Sequence, residues 1–262
     1  MTGVLEEARV GPLLRDWRRR RRLSQLELAL DAGVSARHLS FVETGRSRPS
    51  PSMVVQLAAR LEVPLRERNR LLLAAGYAPI YEQHDLDDPE MTPVRGALRQ
   101  ILDGHEPYPA LVVDGAWEMV ASNSAVALLT RGVEPALLEP PVNVLRVSLH
   151  PGGVAPRIVN LGQWREHLLA RLERQVALSG DSALRALLEE LRGYPGPDAP
   201  EPDSGSDIAV PLRLLVDGRE LAFISTVSTF GTALEVTSSE LSIESFFPAN
   251  ATTAEVLRQY AA

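Results

Sequence analysis

The chain has 262 residues, 45% of them hydrophobic, with no cysteine and a formal net charge of −7. That length is comfortable for two domains, each burying its own core, and the missing cysteine excludes a disulfide framework. No apolar run approaches the ~18 residues of a membrane-spanning helix, and Glu6 and Glu7 stand where a secretory signal would be basic and then apolar, so a cytoplasmic protein without a membrane part is expected.

The charge divides by position. Residues 1–76 hold 14 arginines against 8 acids, while the remainder holds 13 arginines against 26 acids. A basic head joined to an acidic body lets one part approach DNA while the other stays off it.

In chain order, residues 13–22 read as a helix ending in five arginines, favourable at a helix C-terminus and available to phosphate. Residues 23–51 read as two short helices around a glycine turn. Ser24 is an N-cap with Glu27 as the return arm of a capping box, and Leu26, Ala29 and Leu30 share one stripe. Gly33 takes the bend and Ser35 caps the second helix, whose Leu39 and Val42 face inward while Ala36, Arg37, Ser40 and Phe41 face outward. Two more helices, at 53–61 and 65–75, complete a five-helix, all-α domain over residues 1–76. Residues 77–92, rich in acid and proline, form a linker.

The domain over residues 93–262 opens with a helix at 94–102. Short strands at 110–113 and 117–121 flank Asp114-Gly115, a two-residue hairpin signal, and a short helix at 124–130 follows. Residues 161–179 form a long amphipathic helix, 182–192 another, and the proline-rich 193–207 a mobile loop. Strand texture runs over 208–216, turns at Asp217-Gly218, and continues over 221–230 and 234–247 before a last helix at 253–260. A small antiparallel sheet with helices on one side makes the fold α+β.

The head resembles the Cro/C1-type, or XRE-type, helix-turn-helix family in its LSQ, AGVS and ExGRxxPS motifs. That resemblance implies that Gln25, Arg46 and Arg48 hold phosphates and that Ala36, Arg37, Ser40 and Phe41 face base edges, with Ser35 and Thr44 completing the DNA-facing set. It also implies that Glu43 pairs with Arg18 inside the domain. PLRERNRLLLAAGYAP, EPYPALVVD, ASNSA, NVLRVSLHPGG and ESFFPAN are similar to the MmyB-like transcription regulators, whose second half is a PAS-like domain with an apolar pocket. Gly115 departs from that pattern, standing where an arginine is usual.

The five histidines lie far apart, none in a metal-ligand spacing, and no nucleophile motif accompanies the serines, so neither an enzyme nor a cofactor is expected. Arg146 and His150, four residues apart, would share a helix face where a carboxylate could dock. Together with Asn123 they are the expected polar end of the pocket, with Trp117 and Phe223 on its apolar wall. The resulting expectation is a transcription regulator that binds a DNA operator as a homodimer and senses a hydrophobic small molecule such as a fatty acid. The rivals are a body that only dimerises, and an enzyme carrying a DNA-binding head.

Overall fold

The computed structural model describes residues 9–197, 210–231 and 233–260. The chain divides into two compact units, one within residues 1–83 and the other within 84–262, with segments 177–179 and 234–236 counted with the first.

The first unit has five helices: α1 (Val10–Arg20), α2 (Gln25–Asp31), α3 (Ala36–Glu43), α4 (Pro51–Arg60) and α5 (Leu65–Ala74). Local chemistry sets their starts. Ser24 accepts from the Glu27 amide at 3.1 Å while the Glu27 carboxylate accepts from the Ser24 amide at 2.7 Å, closing the capping box. Ser35 and Ser50 cap α3 and α4 by accepting from His38 and Met53, and Pro51 supplies a first residue that needs no amide hydrogen. Gly33, at φ +62°, makes the turn between α2 and α3. Leu14, Trp17, Leu28, Leu39, Val42, Leu57 and Leu72 meet in one core. A Cβ on Gly11 would sit 2.4 Å from the Val42 carbonyl oxygen, so glycine is what lets α1 close on the end of α3.

The inward face of α2 differs from the expected stripe. Leu26 and Leu30 are 60% and 73% exposed, whereas Leu28 and Ala29 are buried. The helix is turned because Gln25, one turn before Leu28 and Ala29, points inward to bond Glu43 at 2.8 Å. Residues 77–83 are also more ordered than a linker reading suggests. Asn69 accepts from the amides of Ile80 and Tyr81 and donates to the Tyr81 carbonyl, and the Tyr77 hydroxyl donates to the Pro49 carbonyl.

The second unit opens with α6 (Thr92–Gly104), then β1 (Ala110–Val113), β2 (Met119–Ser122), α7 (Val126–Leu129), α8 (Val144–Leu149), α9 (Leu161–Ser179) and α10 (Ser182–Arg192). It closes with β3 (Leu212–Val216), β4 (Arg219–Thr229), α11 (Val236–Glu240), β5 (Ser242–Pro248) and α12 (Ala251–Tyr260). The strands form one antiparallel sheet in the order β2-β1-β5-β4-β3, an α+β arrangement with β5 at its centre between β1 and β4. The larger core, with Leu111, Trp164, Leu168, Leu172, Phe223 and Phe246, covers one face of the sheet. Helices are not confined to that side: α6 places Leu98 and Leu102 against Ala110, Val112 and Ile243 on the other, which is why every residue of β1 is buried.

Both hairpin signals mark turns, of different kinds. Asp217 and Gly218 have φ of 48° and 76°, the left-handed pair a two-residue hairpin needs. At Asp114-Gly115 the loop is longer, because the Asp114 side chain accepts from the amides of Ala116 and Glu118 and its own amide bonds the Glu118 carbonyl. The second strand therefore starts at Met119, and Trp117 is a loop residue. The strand expected over 234–247 is divided: α11 occupies its first part, since the seven residues of β5 already cross the sheet. Of the expected loop at 193–207, residues 198–207 lie outside the described residues.

Candidate functional site

The outer face of the head is organised from beneath by a buried ion pair. Arg18 on α1 donates from Nε and Nη2 to the two carboxylate oxygens of Glu43 at 2.6 and 2.9 Å, and their side chains are only 11% and 1% exposed. Burial pushes the Glu43 carboxyl up, but the hydrogen bonds from Arg18 and Gln25 outweigh it and hold the group below the usual carboxylate range. Glu43 is the last residue of α3, so this pair fixes the helix to α1 from inside.

Above it, α3 shows Arg37 exposed and Ser40 and Phe41 half-buried, with Ala36 half-buried beside its cap Ser35. The guanidinium carbons of Arg37 and Arg46 lie 5.4 and 6.0 Å from the centre of the Phe41 ring. Neither guanidinium has a hydrogen-bond partner among the described residues. Two cations held against one ring, with all their donors available, suit contacts to phosphate oxygens or guanine edges. Thr44 is exposed, its hydroxyl donating back to the Ser40 carbonyl at 2.7 Å.

Two residues expected on phosphate have structural partners instead. Arg48 donates to the carbonyls of Ala75 and Gly76 at 2.9 and 3.0 Å and lies over the Tyr77 ring, closing the end of α5. The Gln25 amide nitrogen belongs to the Glu43 cluster. Arg21, one of the five arginines ending the first helix, likewise donates to the Leu61 and Glu62 carbonyls.

In the second unit, a cavity of about 90 Å³, several times what one water requires, lies between the sheet and α9. Its wall includes Leu111, Trp117, Val142, Leu145, Trp164, Leu168 and Phe246, and its polar lining is limited to Thr130, Ser148 and Glu244. Trp117 lines the cavity from φ +67°, a conformation costly for a bulky residue. Its indole nitrogen donates to Gln175 at 2.6 Å, and Arg171 lies 4.4 Å over the ring. Trp164 donates to the Ser148 hydroxyl oxygen at 3.0 Å and stacks on His167. Burial, with Arg171 and Arg174 nearby, pushes the His167 imidazole below its usual range, so the ring is neutral at neutral pH.

The other residues expected at this cavity are placed elsewhere. Asn123 is buried but fully engaged, accepting from the Ala110 amide and donating to the Tyr108 and Leu102 carbonyls, because it ties the end of β2 to the start of β1. Arg146 does meet a carboxylate, but it is the chain's own. Arg146 makes two 2.8 Å bonds to Glu190 at the surface, and Tyr194 donates to the same carboxylate. Burial and the Glu190 charge push the Tyr194 hydroxyl up to about 12. The His150 ring accepts from the Gly152 amide and meets Tyr194 edge-on. Phe223 is fully buried, edge-on to Phe246 at 6.4 Å, and is core rather than cavity wall. Sequence reasoning missed Glu244, although alternation along β5 puts it on the same face as Phe246.

Residues 94–259 match the MmyB-like transcription regulator ligand binding domain, and residues 14–68 match a helix-turn-helix domain. The chain belongs to the MmyB-like transcription regulators. A similar curated protein is the uncharacterized HTH-type transcriptional regulator RghRB of Bacillus subtilis (strain 168), 31% identical over 115 residues, 44% of this chain and 74% of the relative. A solved structure titled "Structure of an RNA-binding Light-Oxygen-Voltage Receptor" is 14% identical with a TM-score of 0.25, over 97% of this chain and 61% of the other. At that score it carries no argument about this regulator. The family match makes the helical head a DNA-binding element and the sheet unit a ligand-binding domain of a transcription regulator. Among the described residues no helix is long and apolar enough to cross a membrane.

Proposed function

We propose that this MmyB-like regulator binds a near-palindromic operator as a homodimer in the cytoplasm, and that its PAS-like body senses a hydrophobic small molecule that shifts operator affinity. The observation that carries the sensing role is the cavity, whose wall is apolar except at Thr130, Ser148 and Glu244. A body that only dimerised would have no use for such a void, since filling it with side chains would add stability. An enzyme would need titratable groups converging on the substrate, and Glu244, the one ionisable lining residue, is already bound to Arg171. The fatty acid expected from the sequence fits the apolar wall, but the three residues expected to hold its carboxylate are engaged elsewhere. The ligand is therefore assigned a hydrophobic body and no particular head group.

On the DNA side, Arg37 and Phe41 are assigned to base edges and Arg46 to phosphate, with Ser35, Ala36, Ser40 and Thr44 bordering them. One recognition helix covers too little DNA for tight specific binding, which is why two heads, with half-sites ~34 Å or a multiple apart, are proposed. Selection of the full chain against random duplexes tests this. Enrichment of one motif with two inverted half-sites supports the reading, and absence of any enriched motif contradicts it.

A further inference from the structure

The cavity is almost wholly apolar, yet one of its lining residues is a carboxylate. Glu244 projects from β5 on the face it shares with Phe246, with its side chain only 9% exposed. Among the described residues its partner is Arg171 on α9, which binds Oε1. The second oxygen, Oε2, has no hydrogen-bond partner among the described residues. Arg171 is not itself a lining residue: it approaches from behind, stacked on the Trp117 ring. Glu244 thus lines the cavity, whereas the cation bound to it does not.

The other polar groups do not reverse that sign. The Thr130 hydroxyl already donates to the Val126 and Ala127 carbonyls, leaving its lone pairs to the cavity, and the Ser148 oxygen accepts from Trp164. His167, behind Trp164, is neutral. A ligand therefore meets the Glu244 carboxylate, one hydroxyl acceptor and one hydroxyl donor in an otherwise apolar wall. There a second carboxylate would be repelled and left underhydrated, while an N–H or O–H donor would satisfy Oε2.

Resting on the reading of this domain as a sensor of hydrophobic ligands, we propose that its ligand carries a hydrogen-bond donor head, an alcohol, amide or amine on an apolar body, which Glu244 accepts through Oε2. The carboxylate is then the selectivity element of the cavity. It discriminates against acids of the same chain length, and Arg171 holds it in orientation.

The test is a matched series, 1-octanol, octanamide, octylamine and octanoate, titrated against the full chain at neutral pH by thermal shift and tryptophan fluorescence. The alcohol, amide and amine should bind at least tenfold more tightly than octanoate. Glu244→Gln, which preserves shape but removes the charge, should bring octanol and octanoate within about threefold of each other. Octanoate binding the wild type as tightly as octanol would overturn the proposal while leaving the hydrophobic-ligand reading in place. Binding of none of the four would overturn both. The wild-type ratio decides the question by itself should Glu244→Gln fail to fold.

Discussion

Arg18 and Glu43 form a buried ion pair inside the head. Each donor of their paired hydrogen bonds is matched to one carboxylate oxygen, and removing either partner would leave the other charge buried. Glu43→Ala should cost about 3–5 kcal/mol, read as a fall in melting temperature, whereas breaking the exposed Arg213–Glu220 pair should cost no more than about 1 kcal/mol. The pH dependence has a definite sign. Because the folded Glu43 carboxyl is held below its usual range, its contribution is present above the unfolded value of about 4.3 and is lost as pH falls through the lower folded value. The melting gap between wild type and Glu43→Gln should therefore narrow steadily as the solution is acidified, and a gap independent of pH would refute the assignment.

The arginines of the head separate by what already holds them. Arg37→Ala should weaken binding to the selected operator by about 1–3 kcal/mol and relax preference at one base position, since a free guanidinium near the start of a recognition helix can bond guanine bidentately. Arg46→Ala should weaken all sequences alike and reduce the salt slope by about one. Arg48→Ala is expected to lower the melting temperature instead, because its donors close the end of α5. Competition titrations at several salt concentrations separate these outcomes. An Arg48→Ala effect confined to the salt slope would restore it to the phosphate set.

Among the elements, those written by neighbouring residues were the most legible. The capping box of α2, the Ser35 cap, the Gly33 turn and the Asp217-Gly218 hairpin each depend on groups within a few positions, so the sequence displays them directly. Elements whose orientation is fixed from a distance were not. The burial of α2 turned on a bond from Gln25 to Glu43, 18 positions away, and the Trp117 loop on Gln175, 58 positions away. The polar end of the cavity was misassigned for the same reason. Arg146 lies within α8, but His150 is its extended C-terminal cap rather than a residue of the same helix face, and only the fold reveals that α10 delivers Glu190 to Arg146. Phe223 illustrates the cost of such an error. Being fully buried on β4, it should not tolerate a charge, so Phe223→Asp is expected to unfold the body rather than simply abolish ligand binding. A folded Phe223→Asp protein, by circular dichroism and a cooperative melt, would contradict this placement.

For the whole molecule, a basic helix-turn-helix head and an acidic body with an apolar cavity are useful together only if ligand and operator influence each other. A ligand that binds the operator-competent and operator-incompetent states equally shifts nothing, however tight it is. Coupling between two such sites is typically ~1–3 kcal/mol, roughly a 5–150-fold change in affinity, and must be reciprocal. The most direct measurement is the dissociation constant of the full chain for its selected operator, with and without a saturating cavity ligand such as octanol, by fluorescence anisotropy. The account predicts a change of at least about fivefold, matched by an equal change in ligand affinity when operator is present. Operator affinity identical with the cavity filled and empty would contradict it.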